Sequence, residues 1–362
     1  ISIYGGAIDI NANLEATGGD ILLDGDTGAG LSTNFEGVNI AKSTEIKTVT
    51  SGDIEIIGRG STGSNSYQGV EIGYSGSGEN SKIISAGDIT ITGISESIQS
   101  SSIPGVWIES TDIDASGTVT INGQRDDSYN YLYDIWVNAI TIDTSDGDII
   151  FDAQNLGYAG FGGTNTLSAG NSGDIKIFGN KHTAGTSTTL STTGEVQLLP
   201  GHNPSGEAQN SFTMDIDLEN YSFSNTVSSL TIGTSSNTSN ITLSDNISIA
   251  GPISIYGEDI TLSNSLTASG TILLQSSGAT TQSAAVSATT LSLQGSGTFT
   301  LNDSENHVEN ITAGTATQTV GNISFTNKDA LSIGDGSKGI LSSGTIQIGT
   351  LSGNLTISDT IS

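Results

Sequence analysis

The chain has 362 residues, with 48 glycines, 4 prolines and no cysteine, and its 9 Lys plus Arg face 38 Asp plus Glu for a net charge of −29. Lack of cysteine excludes disulfide staples, thiolate metal sites and a cysteine nucleophile. The charge excludes nucleic acid as a partner and disfavours anionic membranes, and no apolar run reaches the roughly 18 residues of a transmembrane helix.

The first stretch, Ile1 to Leu23, places Ile1, Ile3, Ile8, Ile10, Leu14, Ile21 and Leu23 in alternation with polar residues. That period means short strands with one buried face. The same pattern returns at Ile253, Ile255, Ile260, Leu262, Leu266, Ile272 and Leu274. A unit of three alternating runs that recurs along a chain predicts a stacked solenoid. Apolar residues are only 34% of the chain. Their placement in alternation nevertheless argues against disorder.

A short phrase, glycine then Asp, Thr, Asn or Glu, then a branched apolar residue, opens strand after strand. It stands at Gly19-Asp20-Ile21, Gly52-Asp53-Ile54, Gly87-Asp88-Ile89, Gly117-Thr118-Val119, Gly147-Asp148-Ile149, Gly173-Asp174-Ile175 and Gly194-Glu195-Val196, with later copies from Gly270 to Gly353. Glycine turns the corner, the polar side chain satisfies free turn amides, and the branched residue begins an inward position. Within Asp88 to Gly93, Ile89 and Ile91 point in and Thr90 and Thr92 point out. One coil per phrase is expected, with extra length in the first half looping out between coils.

Acidic residues cluster at Asp20, Asp24 and Asp26 and again at Asp143, Asp146 and Asp148. Oxygen ligands on turns are what calcium takes, so these six are the candidate metal ligands. The competing reading is that they cap backbone amides. No other cofactor is expected. Tyr129, Tyr131, Tyr133 and Trp136 form the densest aromatic run, with Tyr67, Tyr74, Trp107, Tyr158 and Phe161 in the same half of the chain. Aromatics with polar tips suit a binding surface, so this run is the candidate ligand site; the alternative is a local apolar cover. Arg125-Asp126-Asp127 together with His202 is the nearest approach to an acid–base set. His182, His202 and His307 lie far apart and give no zinc spacing. Eight Asn-x-Ser/Thr sequons start at Asn220 and beyond, as expected by chance in a chain rich in these residues.

These readings predict an all-β fold, a right-handed parallel β-helix of roughly 15 coils, continuous over 1–362, with longer loops in 1–219 and plainer coils in 220–362. An antiparallel sandwich array is the alternative. Neither Ile1 nor the strand at Leu355 carries a capping element, so continuation by further coils or by an identical subunit is expected.

The stretch Gly87 to Gly93 (GDITITG) and the stretch from Ile323 to Ser362, with its Leu-x-Ile-Gly, Ser-Gly-Thr-Ile and Ser-Gly-Asn-Leu cadence, resemble the repeats of filamentous-haemagglutinin-type exoproteins. That resemblance implies a right-handed parallel β-helix at the bacterial cell surface and a role in adhesion or cell contact; no enzymatic activity is expected, because no convergent acid–base set is visible in the sequence and the charge would repel anionic substrates. The family's secretion signature, Asn-Pro-Asn-Gly, is matched only by Asn203-Pro204-Ser205, so the chain looks like the shaft. The expected partners are a glycan or a cell-surface receptor. A β-helical polysaccharide-degrading enzyme is the competing class.

Overall fold

The computed structural model describes residues 1–362 apart from 27–34, 62–66, 75–77, 97–102, 126–132, 155–156 and 204–205. Among the described residues no helix occurs, and none is therefore long and apolar enough to cross a membrane. The strands stack in parallel from one coil to the next, as a β-solenoid. The chain forms two compact units, Ile1–Gln209 and Asn210–Ser362.

In the first unit each coil contributes three strands. Ile89–Ser95, Val106–Glu109 and Thr111–Ala115 make one coil; Val119–Arg125, Tyr133–Asn138 and Thr141–Thr144 make the next. Alternation does the sorting. Ile89 and Ile91 are fully buried while Thr90 and Thr92 are half-buried on the outer side. The inward residues form unbroken columns: Ile21, Ile54, Ile89, Val119, Ile149, Ile175 and Val196 pair in register down one face. Burial of one such side chain contributes about 1.5–3 kcal/mol.

The glycine phrase owes its polar member to a ladder between coils. The Asp20 carboxylate accepts the Asp53 amide at 3.0 Å, Asp53 accepts that of Asp88 at 2.9 Å, and Asp88 accepts that of Thr118 at 2.7 Å. Asp148 and Asp174 continue it with the amides of Asp174 and Glu195 at 2.8 and 2.9 Å. A turn amide with no strand partner is thus satisfied by the coil before it.

Coil length varies mainly where the first strand hands over to the second and, in the coil of Ile54–Arg59, Val70–Ile72 and Ser81–Ser85, also between the second strand and the third. The ladder advances by 35 residues from Asp53 to Asp88 but by 21 from Asp174 to Glu195. The handover is a tight corner in every long coil. A Cβ on Gly58 would fall 2.0 Å from the Gly69 carbonyl oxygen, and one on Gly93 would fall 2.1 Å from that of Gly105. Only glycine admits that approach.

The second unit is more regular. Asp259 lies 19 residues after Asn240, and Ala279 lies 20 after Asp259, each amide taken by the preceding Asn or Asp side chain. The internal copy found in sequence is real: Ile253–Gly257, Ile260–Leu262, Leu266–Ala268 and Thr271–Ser276 reproduce Ser2–Tyr4, Ile8–Ile10, Leu14–Ala16 and Ile21–Gly25. Here one coil per glycine phrase does not hold. Gly270 opens a strand on one face, whereas Gly297 opens Thr298–Leu301 on another, paired with Ala279–Gln282. Any corner needs a turn and a cap, so the phrase marks corners, not coils. Strand Val286–Gln294 also runs past a corner, pairing with both Leu266–Ala268 and Thr271–Ser276. Buried Asn306 and Asn327 replace ladder partners there: each accepts a strand amide, of Val286 at 2.8 Å and Val308 at 2.9 Å.

Candidate functional site

The second strands of the first unit present a column of outward residues. Asn39, Glu71, Trp107, Trp136 and Gly160 succeed one another in register. Their inward neighbours are Val38, Val70, Val106, Ile135 and Ala159, all fully buried. Because one strand face fills the core, the other must carry its rings to the surface.

A bulge adds to the column. Tyr133 pairs with Tyr158 and Ile135 with Ala159, so Asp134 is an extra residue and the register shifts there. Strict alternation would set Tyr133 on the same side as Ile135. The bulge turns Tyr133 out instead, beside Trp136, with ring centroids 4.6 Å apart and edge to face. The buried Asp134 packs over Gly157, where a Cβ would meet its carboxylate.

The rings form a continuous strip. Tyr74 and Trp107 meet at 5.3 Å, Trp107 and Trp136 at 6.4 Å, and Tyr133 and Tyr158 at 6.2 Å. Glycine floors the strip: a Cβ on Gly160 would fall 2.4 Å from the Tyr133 ring and 2.6 Å from that of Trp136. Tyr74 is 48% exposed; Trp107, Tyr133 and Trp136 are half-buried.

Charge is uneven along it. Lys181 sits 6.0 Å from the Tyr158 ring at one end. At the other, Glu71 is buried, and burial followed by the charges of Glu36 and Glu109 pushes its carboxyl up to about 7. Glu109 accepts a hydrogen bond from Asn138 at 3.1 Å. Among the described residues no Lys, Arg or His pairs with Glu36, Glu71 or Glu109.

Of the aromatic run singled out in sequence, Tyr133 and Trp136 lie in this strip; Tyr129 and Tyr131 lie outside the described residues. Trp107, Tyr74 and Tyr158 join them from other coils. Glu71, Glu109 and Lys181 were missed. A signal for the column existed: Gly-Val-x-Ile recurs at 37–40, 69–72 and 105–108, with Asp-Ile-Trp-Val at 134–137, and its third position is the outward one.

The six aspartates proposed for calcium are not gathered into a cage. Asp20 and Asp148 are rungs of the amide ladder, and Asp148 also binds Lys176 at 3.0 Å. Asp24 accepts the Asp26 amide at 3.0 Å, and Asp26 is paired with Arg59. Asp146 bonds Asn171, and Asp143 is exposed on its strand in register with Asp114. Among the described residues no group of three or more His, Asp or Glu is placed to hold a metal ion.

Asp126 and Asp127 lie outside the described residues. His202 Nδ1 lies 2.6 Å from Asp152 and its ring 5.3 Å from Phe178. His182 fills a core position in the column below Ala159, and burial lowers its pKa to about 4. His307 is exposed beside Asp329 at 3.0 Å.

No family model matches the chain, and comparison with curated proteins and with solved structures gives no match.

Proposed function

We propose that this chain is structural and adhesive material of the bacterial cell surface, a shaft segment of the filamentous-haemagglutinin-like kind, exported and working outside the cell. The coils supply length, and the aromatic strip on the first unit supplies contact with a glycan or a cell-surface receptor. The observation that carries this reading is the strip itself. It is a row of rings on successive coils in which Tyr74, Trp107, Tyr133 and Trp136 are partly exposed and Tyr158 is buried, and maintaining such exposed rings in water is costly unless something covers them. Its flanking acidity and the chain's net charge of −29 keep the shaft soluble and resistant to unspecific association.

The reading includes no catalytic step. It also includes end-to-end stacking of a second copy against the strand Leu355–Ile357. Leu355 and Ile357 are 41% and 64% exposed, although Leu331 and Ile333, their partners one coil earlier, are buried.

The test is cell binding by the purified chain, compared with a Tyr133→Ala, Trp136→Ala double variant. Binding that falls to background in the variant supports adhesion through the strip; equal binding by both proteins removes the strip from the reading.

A further inference from the structure

The strip is asymmetric in a way that a plain aromatic surface does not require. Glu71 is 7% exposed, its carboxyl group makes no hydrogen bond to any described residue, and it stands next to Trp107 in the outward column. A carboxyl group held in that position without a partner is costly once it ionises. Glu36 and Glu109 add negative charge to the same end, and Lys181 is at the opposite one. Nothing in the described chain neutralises the acidic end, so the complementary partner is cationic. Aromatic faces next to it accept both cations and the flat apolar faces of sugar rings.

We propose that this strip docks a glycan carrying free amino groups, with Glu71 and Glu109 pairing its ammonium groups while Trp107 and Trp136 stack its sugar rings. The proposal rests on the adhesive reading above and names the ligand class for it. Successive coils repeat at about 4.8 Å, so the rings form a row along the stacking direction. An extended polymer offering one ring per unit meets such a row several times over. A lysine-rich peptide would use only the acidic end and leave Trp136 and Tyr133 uncovered.

The experiment is calorimetric titration of the whole chain at low salt with a glucosamine hexamer, with the N-acetylglucosamine hexamer and polylysine as separate arms. The glucosamine hexamer binds, and its N-acetylated form, lacking the charge, binds at least about tenfold more weakly. Trp107→Ala weakens binding by about tenfold or more, and so does Glu71→Gln combined with Glu109→Gln, a change that keeps side-chain shape and lowers repulsion. Circular dichroism verifies that each variant is folded. No binding of the glucosamine hexamer, or binding equal in wild type and variants, overturns the proposal. Tighter binding of polylysine through the same residues also overturns it and makes the face a peptide site. Cells bound through the strip without any binding of the hexamer would remove the amino-glycan and leave adhesion standing. Hexamer binding without cell binding would do the reverse.

Discussion

Asp53, Asp88 and Asp174 each follow a glycine, and each accepts the amide of the equivalent residue in the next coil. Hydrogen bonding between coils is by itself a sufficient reason for Asp at that place. Asp88→Ala should lower the unfolding free energy by about 1 kcal/mol, and Asp88→Asn, which keeps an acceptor, by less; urea titration checks both. Two other residues act through pH, with opposite signs. His182 titrates at about 4 in the folded chain, below its ordinary 6.5, because burial disfavours its charged form. Its contribution is present above the ordinary pKa and is lost as pH falls from 6.5 towards 4. Glu71, raised to about 7 from 4.5, contributes stability at low pH that is lost as pH rises through that interval. Thermal melts across pH 4–7.5 should therefore show His182→Val flattening the acid side and Glu71→Gln flattening the neutral side. An unchanged pH profile in either variant would show that the burial of that group is not what sets its charge.

At the scale of elements, the strand Ile89–Ser95 stands for the whole first face. It is paired on both sides, with Ile54–Arg59 and Val119–Arg125. Ile91 is fully buried between two neighbouring coils, so its column cannot close over a gap. Ile91→Ala is expected to cost about 2–5 kcal/mol. Asp at the same place buries a charge with no partner and should prevent the surrounding coils from forming. The loss would be read as reduced amide protection in the strands on both sides of it. The second-strand element Tyr133–Asn138 behaves differently, since its bulge serves the surface. Gly160 and Gly162 form the floor beneath the Trp136 ring. Gly160→Val should displace that ring and reduce tryptophan-dependent binding while leaving the strand ladder, and so the circular-dichroism spectrum, nearly intact.

For the whole molecule, each unit is a stack whose stability comes from contacts between adjacent coils, so damage stays local and length is freely added. The apolar residues Leu351, Leu355 and Ile357 are 62%, 41% and 64% exposed. Concentration-dependent association is the expected behaviour of the isolated chain, measured by sedimentation. An Ile357→Ser, Leu355→Ser double variant should shift it toward monomer. Wild-type chain that sediments as a monomer at every concentration would refute stacking at that edge.

Much of this architecture was legible in the sequence because a solenoid is a local code. Alternation in Ile89-Thr90-Ile91-Thr92 assigns inside and outside without reference to any distant residue, and the recurrence at Ile253 signals stacking. The glycine phrase announced corners for the same reason. What the phrase could not say was which corner, because Gly270 and Gly297 need the same turn chemistry on different faces. The site was legible only in part. Tyr133 and Trp136 stood out as neighbours in sequence, but the bulge at Asp134 that sets them side by side depends on pairing with Tyr158 and Ala159 in the next coil. Glu71, Trp107 and Trp136 are far apart in the chain, and register between coils alone brings them into one column. By itself, the sequence determined the strands, their inward faces and their parallel stacking, since these depend on residue spacing. Tertiary structure decided the strip and its acidic end, since those depend on how many residues each corner lets out before the next strand returns.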